Sequence, residues 1–306
     1  MLNILRRRYW YFGISMLVMI PGILAIAMWG LPLAIDFTGG SQLEIKIEGD
    51  IDLSTSRIAT ILDDNGFGDN VVQIADNDVI VIRTKTMDDL SKGVVIEAFE
   101  DEFDLAVELL SFESVGPVIG REVAGRAVQA VAIAAFGILG YITYAFRGVK
   151  NSFRYGVCAI AALLHDATIV VGLTAILGQY FDWEVDALFL TALLTVIGFS
   201  VHDSIVVFDR IRENLNRYRR AEYEAVVNLS VVQTLDRSIN TQLTALFTLF
   251  ALALFGGDSI FHFVVTMMIG LFSGTYSSLF NAAPILVVWE KREWRYWFRR
   301  NPILSQ

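Results

Sequence analysis

The run LFLTALLTVIGFSVHDSIVVF, residues 188–208, is long and apolar enough to cross a bilayer, yet it carries His202 and Asp203 in its second half. A second run, YGVCAIAALLHDATIVVGLTAIL at 155–177, repeats the pattern with His165 and Asp166 near its middle. A membrane span needs about 20 mostly apolar residues. An ionised side chain in hydrocarbon costs about 3 to more than 10 kcal/mol. Such groups are kept where they move protons or ions, or where a buried polar contact sets helix packing. Both readings are open for these two acids at this point.

Outward from these runs, the chain of 306 residues is 55% hydrophobic. Six apolar stretches qualify as spans: 10–31, 124–146, 152–177, 185–208, 239–255 and 260–289, the fifth being the shortest. The first is too long for a signal peptide and lacks a small-residue cleavage site, so it reads as a retained anchor. Arg6, Arg7 and Arg8 precede span one; Arg147, Lys150 and Arg154 lie between spans two and three. Arg210, Arg212, Arg217, Arg219 and Arg220 follow span four, and Lys291, Arg292, Arg295, Arg299 and Arg300 follow span six. With six spans all four clusters share one side, which the positive-inside rule assigns to the cytoplasm together with both termini. The loops expected on the other side carry Asp182, Glu184, Asp186 and Asp258 and no Lys or Arg.

Three parts follow: 1–35, an N-terminus and span one; 36–123, an external domain; and 124–306, spans two to six. The external part holds 20 Asp and Glu against 6 Lys and Arg, a net charge of −14 within a chain of −9. That charge excludes nucleic acid and acidic lipid as partners of this domain. Residues 41–47 alternate as a strand, 53–62 have helical spacing, and 71–75 and 79–84 read as strands joined by a turn at Asp76-Asn77-Asp78. A second helix over 88–103 and a strand over 106–114 complete β-α-β-β-α-β, the ferredoxin-like arrangement. The domain contains no His or Cys, and its carboxylates form no catalytic constellation, so it reads as a binding or coupling module. The fold class is therefore an α-helical membrane protein of six transmembrane helices with an external α+β ferredoxin-like domain. Cys158, inside span three, is the one cysteine and reads as a packing residue. Segment 210–237 mixes Ile211, Leu215, Tyr218, Tyr223 and Val226 with many charges, which predicts an amphipathic helix on the cytoplasmic lipid surface; a docking surface for a cytoplasmic partner is the competing reading.

A rise of 1.5 Å per residue puts Asp166 near the middle of span three and Asp203 roughly 10 Å from the end of span four. Arg237 opens span five, which runs antiparallel to span four, so Asp203 and Arg237 approach in depth and are expected to pair. Such a pair, separated by a conformational change, would meet the requirement of a proton-coupled motor. His165 and His202 add imidazoles that can relay protons. A metal site is disfavoured because adjacent helical residues point about 100° apart. Ser200, Ser204, Asn240, Thr241, Gln242 and Thr244 can form a wet path or interhelical hydrogen bonds. Gly270, Ser273, Gly274, Ser277 and Ser278 give span six a small-residue packing face, and Pro284 marks a kink or break.

Asp36-Phe37-Thr38-Gly39-Gly40-Ser41 follows span one, and Ser114-Val-Gly-Pro-Val-Ile-Gly120 precedes span two. With His165-Asp166, Val206-Val-Phe-Asp-Arg-Ile-Arg-Glu-Asn214 and Arg237-Ser-Ile-Asn-Thr241, this ordered set resembles the SecF family of protein-export membrane proteins from end to end. The resemblance implies half of an RND-type transporter, paired with SecD, which supplies an equivalent half. It further implies association with the SecYEG channel, unfolded preproteins as substrates, and use of the proton-motive force. Within that frame Asp203 and Arg237 match the family's important span-four acid and span-five arginine, with Asp166, His165 and His202 as further candidates. Asp36 to Ser41 matches a structural signature whose glycines allow a tight turn. Many relatives carry asparagine where this chain has His202. No enzymatic activity, cofactor or metal is expected. The competing functions are an RND-like small-molecule or ion exporter half, an intramembrane hydrolase using Asp166 and Asp203, and a passive assembly factor.

Overall fold

The alternation of Leu43, Ile45 and Ile47 puts one face of a strand against helices, and that face organises the smaller of two compact units, Leu33–Gln129. A computed structural model describes residues 2–47, 54–74, 79–149 and 151–293. The turn expected at 76–78, Lys150, Arg295, Arg299 and Arg300 lie outside the described residues. In chain order the elements of the smaller unit are α2 (Ile35–Thr38), β1 (Gly40–Ile47), α3 (Thr55–Asp64), β2 (Asn70–Ile74), β3 (Val79–Thr84), α4 (Asp89–Phe103) and β4 (Val107–Val115). All pairings are antiparallel in the order β2-β3-β1-β4, with Leu43 opposite Ile82 and Ile45 opposite Ile80. This is the split β-α-β arrangement expected from the sequence. Ile58, Leu62, Val95 and Phe99 from α3 and α4 close the core over Leu43, Ile45, Ile80 and Ile82, all fully buried. Ser54 caps α3 by accepting from the Arg57 amide, and the Asp88 carboxylate caps α4 by accepting from the Ser91 amide.

The glycine signature is built into this unit. Gly39 caps α2 at φ 76°, and a Cβ there would lie 2.5 Å from Pro117 Cα. Gly40 opens β1 at φ 132°, where a Cβ would lie 2.7 Å from the Thr84 carbonyl oxygen. Ser41, beside them, donates to Ser114 Oγ at 2.8 Å and accepts from the Met87 amide at 2.7 Å. The two sequence signatures that flank the domain thus meet in one hydrogen-bonded knot. Phe37 is buried beneath it.

The larger unit, Met1–Pro32 with 130–306, contains α1 (Arg8–Trp29), α6 (Ser152–Phe181), α7 (Ala187–Arg217), α8 (Tyr223–Phe255), α9 (Asp258–Ser277) and α10 (Ala283–Lys291), preceded by the end of α5 (Pro117–Ala145). A π-helical turn at Ser278–Ala282 joins α9 to α10, so span six is interrupted just before Pro284, in the first turn of α10. Among the described residues, six helical segments are long and apolar enough to cross a membrane. The segment 210–237, expected as a separate amphipathic helix, is instead the end of α7, a short connection at 218–222 and the start of α8. Its charged residues extend two long helices beyond their apolar stretches: Asn214 donates to Ser230 Oγ and to Gln233 Oε1, tying the two ends together. One end of the bundle gathers the starts of α1, α6 and α8 and the end of α10. Arg8 pairs with Glu224 and Glu293, Lys291 with Glu222 and Glu224, and Arg154 with Glu290.

Helix contacts depend on missing side chains. A Cβ on Gly172 would lie 2.6 Å from Gly22 Cα, so α1 and α6 touch backbone to backbone. A Cβ on Gly270 would collide with Val196, and one on Gly274 would lie 3.1 Å from Ser200 Cβ, which sets the α7–α9 spacing. Gly172→Val is expected to push α1 off α6, measured as loss of monodisperse, heat-resistant protein in detergent, whereas Gly137→Ala, with open space around it, leaves the melting temperature unchanged. In the smaller unit, the hydrogen bonds from Ser91 hold the Asp88 carboxyl below the usual carboxylate range. Its contribution is therefore present above the unfolded pKa and disappears as pH falls through the lower folded value. Hydrogen exchange of 89–103 is expected to accelerate at acid pH in the wild type, and in Asp88→Asn to lose that part of its pH dependence.

Candidate functional site

The sequence placed both intramembrane acids on hydrophobic helices, and the fold gives them opposite environments. Asp166 on α6 has no exposed surface. Its Oδ1 accepts from His165 Nδ1 at 2.9 Å and Ser273 Oγ at 2.6 Å; its Oδ2 accepts from Ser200 Oγ at 2.5 Å and Ser277 Oγ at 2.6 Å. Two partners per oxygen, drawn from α6, α7 and α9, surround the carboxyl, with no Lys or Arg among them. Ser273 and Ser277 can both reach it because they are one helical turn apart on the face that the α7–α9 glycines bring close. Ser278 extends the polar seam, donating to the Gly274 carbonyl at 2.7 Å with the Ser200 carbonyl 3.2 Å away as the alternative acceptor, and Ser204 donates to it in turn at 3.3 Å. The imidazole of His165 is buried, stacks on the Tyr276 ring at 6.3 Å between centroids, and finds no partner for Nε2 among the described residues.

Asp203, 8% exposed, sits one turn beyond Ser200 on α7 and lines a groove between α7 and α8. Thr195, His202, Thr241, Gln242, Thr244 and Thr248 share that groove, which has a volume of about 740 Å³. His202 is two-thirds exposed, and its Nδ1 stands 4.0 Å from Asp203 Oδ1. The direct Asp203–Arg237 ion pair expected from helix depth is not formed. Arg237 is exposed and lines a second cleft further along the same two helices, with Asp209, Arg210, Arg212 and Glu213. The guanidinium nevertheless stays within electrostatic range of Asp203, so the approach in depth holds without a direct contact. Asn240 and Thr241 lie exposed on α8, and Gln242 is buried in the wall of the Asp203 groove.

The two His-Asp pairs stay apart, each serving its own environment, and no cluster of three or more His, Cys, Asp or Glu forms among the described residues. Sequence reasoning missed the three serines around Asp166. Ser273 and Ser277 were legible only as small residues at a packing face, and Ser200 as one of several polar neighbours. The available signal was the serine pair at i and i+4 on the last span, in a chain that also buries an unpaired acid.

Comparison with known proteins agrees with this architecture. The model of the family "Protein export membrane protein SecD/SecF, C-terminal" matches residues 94–292, and that of the SecD/SecF GG motif matches 26–51. The chain is 52% identical to a protein translocase subunit SecF of Anaerolinea thermophila over 98% of both chains, and 46% identical to one of Thermobaculum terrenum, again over 98% of each. The crystal structure of SecDF, a translocon-associated membrane protein from Thermus thermophilus, superposes with a TM-score of 0.82 at 32% identity, covering 95% of this chain and 39% of that one. The chain belongs to the SecD/SecF family of protein-export membrane proteins.

The serine cage sets an expectation for stability. Ser273→Ala removes one donor to a buried carboxylate and is expected to cost about 1 kcal/mol, with Ser273→Ala/Ser277→Ala costing more than either alone. Denaturant titration of the detergent-solubilised chain checks this, and an unchanged double variant contradicts it.

Proposed function

We propose that this chain is the SecF-type subunit of a protein-export machine of the cell (inner) membrane, working with a SecD-type partner to move unfolded preproteins at the SecYEG channel. Its work is driven by protons crossing the membrane. The observation that carries the proton reading is Asp203, a nearly buried carboxyl that nevertheless borders an open, partly polar groove. The export role is supported by family membership and by near-full-length likeness to translocase subunits. The pairing with SecD is supported by the solved SecDF chain, of which this one matches 39%; the unmatched remainder has room for the second, equivalent half that transporters of this plan require.

In this reading Asp203 takes a proton from the groove and passes it on after α7 has moved against α8. Ionised, it attracts Arg237 along the same helix pair; protonated, it releases that attraction. The alternation between the two states is what a shift of the helices can read. The exposed His202 imidazole, with Nδ1 4.0 Å from Asp203 Oδ1, relays protons to it from the groove. The external unit, with its acidic surface, faces the outer compartment, and the arginine-rich ends of the helices and both termini face the cytoplasm. No covalent chemistry, cofactor or metal is required of the chain.

Asp203→Asn is expected to abolish the stimulation of preprotein export by a proton gradient while the variant still co-purifies with its partner. Loss of assembly without a separate coupling defect would favour the passive assembly factor. His202→Asn is expected to lose part of the proton-dependent stimulation, read as export rate with and without a proton gradient in membrane vesicles. Unchanged stimulation removes the imidazole from the path.

A further inference from the structure

Asp166 is a packing centre, yet its surroundings contain more than packing needs. Three serine hydroxyls already bind the carboxylate from two other helices. The fourth donor, His165, is a titratable ring and holds Asp166 through Nδ1 while its other nitrogen, buried, has no partner among the described residues. The same imidazole forms part of the wall of two grooves, one on each side of α1. In the second of these, of about 890 Å³, Tyr9, Ser15, Thr168 and Asn281 are the polar companions of His165; Ser15 and Asn281 are hydrogen-bonded to each other, and the Tyr9 hydroxyl donates to Glu293. Asn281 belongs to the π-helical turn of span six, a distortion that often accompanies functional sites.

We propose that His165 and Asp166 form a second proton-carrying dyad of the bundle, separate from Asp203 and reached from the groove that contains Ser15 and Asn281. The inference rests on the reading that this bundle transports protons. With hydrogen on Nδ1, the imidazole donates to Asp166 Oδ1 and offers a lone pair at Nε2. A proton arriving at Nε2 is matched by transfer of the Nδ1 hydrogen to Oδ1. The products are a neutral imidazole carrying hydrogen on Nε2 and a neutral carboxyl whose O–H donates back to Nδ1. One positive charge is gained, no bond between heavy atoms changes, and the reverse sequence releases the proton.

The serine cage tolerates both states. Ser273 keeps a lone pair of Oδ1 to donate to, and Ser200 and Ser277 continue to donate to Oδ2. Ser277 also has the Gly274 carbonyl within 3.1 Å as a second acceptor. The ionisable groups facing the dyad are few. Tyr276 on α9 lies against the imidazole, with its hydroxyl donating to the Tyr11 carbonyl of α1. Asp203 on α7 lines the groove towards α8. Neither is hydrogen-bonded to Asp166. The dyad would thus add or remove charge at the point where α6, α7 and α9 are joined.

The test reconstitutes the complex of this chain with its SecD-type partner in liposomes holding a pH-sensitive dye and measures proton flux under an imposed gradient. His165→Gln retains an N–H that can donate to Asp166 but cannot relay a proton; Asp166→Asn and Asp203→Asn are measured beside it, with melting temperatures for each. The expected result is that His165→Gln keeps the wild-type melting temperature while its flux falls several-fold below wild type at every pH, and that Asp166→Asn, where it folds, does the same. Wild-type flux and pH profile in His165→Gln, with flux lost in Asp203→Asn, overturn the dyad and leave the Asp203 reading in place. Full flux in Asp203→Asn with the several-fold loss in His165→Gln overturns that reading instead and supports the dyad.

Discussion

A carboxylate with no solvent contact has to find its donors inside the protein, and Asp166 draws its four from three helices. This requirement fixes more than one side chain. Ser200 can reach Asp166 only if α7 lies close to α6, and Ser273 and Ser277 only if α9 comes within hydrogen-bonding distance of the same point. The close approach at Gly270 and Gly274 makes that convergence sterically feasible. Leaving the carboxylate without them would cost several kcal/mol, which is comparable to a large part of a domain's net stability. Around this centre, α1 is tied on through Gly22 against Gly172 and through the ion pairs of Arg8 at the bundle end.

Asp203 occupies the complementary position. It stands one turn along α7 from the caged site, in the wall of a groove between α7 and α8. Displacement of α7 relative to its neighbours would act on both carboxyls, because Ser200 and Asp203 are carried by the same rigid helix. A transporter half built this way has one acid fastened at the centre of its packing and another at a margin open to change.

Much of this was legible in the residues. Six long apolar runs and four alternating basic clusters leave one arrangement of helices, and the smaller unit's β-α-β-β-α-β order follows from alternation in 41–47 and 79–84 and from helical spacing between them. The burial of Asp166 and Asp203 could be inferred from the helices that carry them. What could not be read was rotation about each helix axis. Serine is both a small packing residue and a hydrogen-bond donor, so Ser273 and Ser277 had two readings until their face was known. The same ambiguity left the contact of Arg237 open: depth along an antiparallel helix can be counted from the sequence and brings it within electrostatic range of Asp203, but a direct ion pair depends on how α8 is turned against α7. The charges of 210–237 suggested a separate surface helix because solubility of a helix end and amphipathicity look alike in composition.

The central claim is that the bundle holds two separately protonated carboxyls. The most direct measurement is the pH-difference infrared spectrum of the membrane-reconstituted complex with its partner, taken for the wild type, Asp166→Asn and Asp203→Asn. Two carboxyl signals, one missing in each variant, are predicted. A spectrum that loses nothing in either variant would contradict the account.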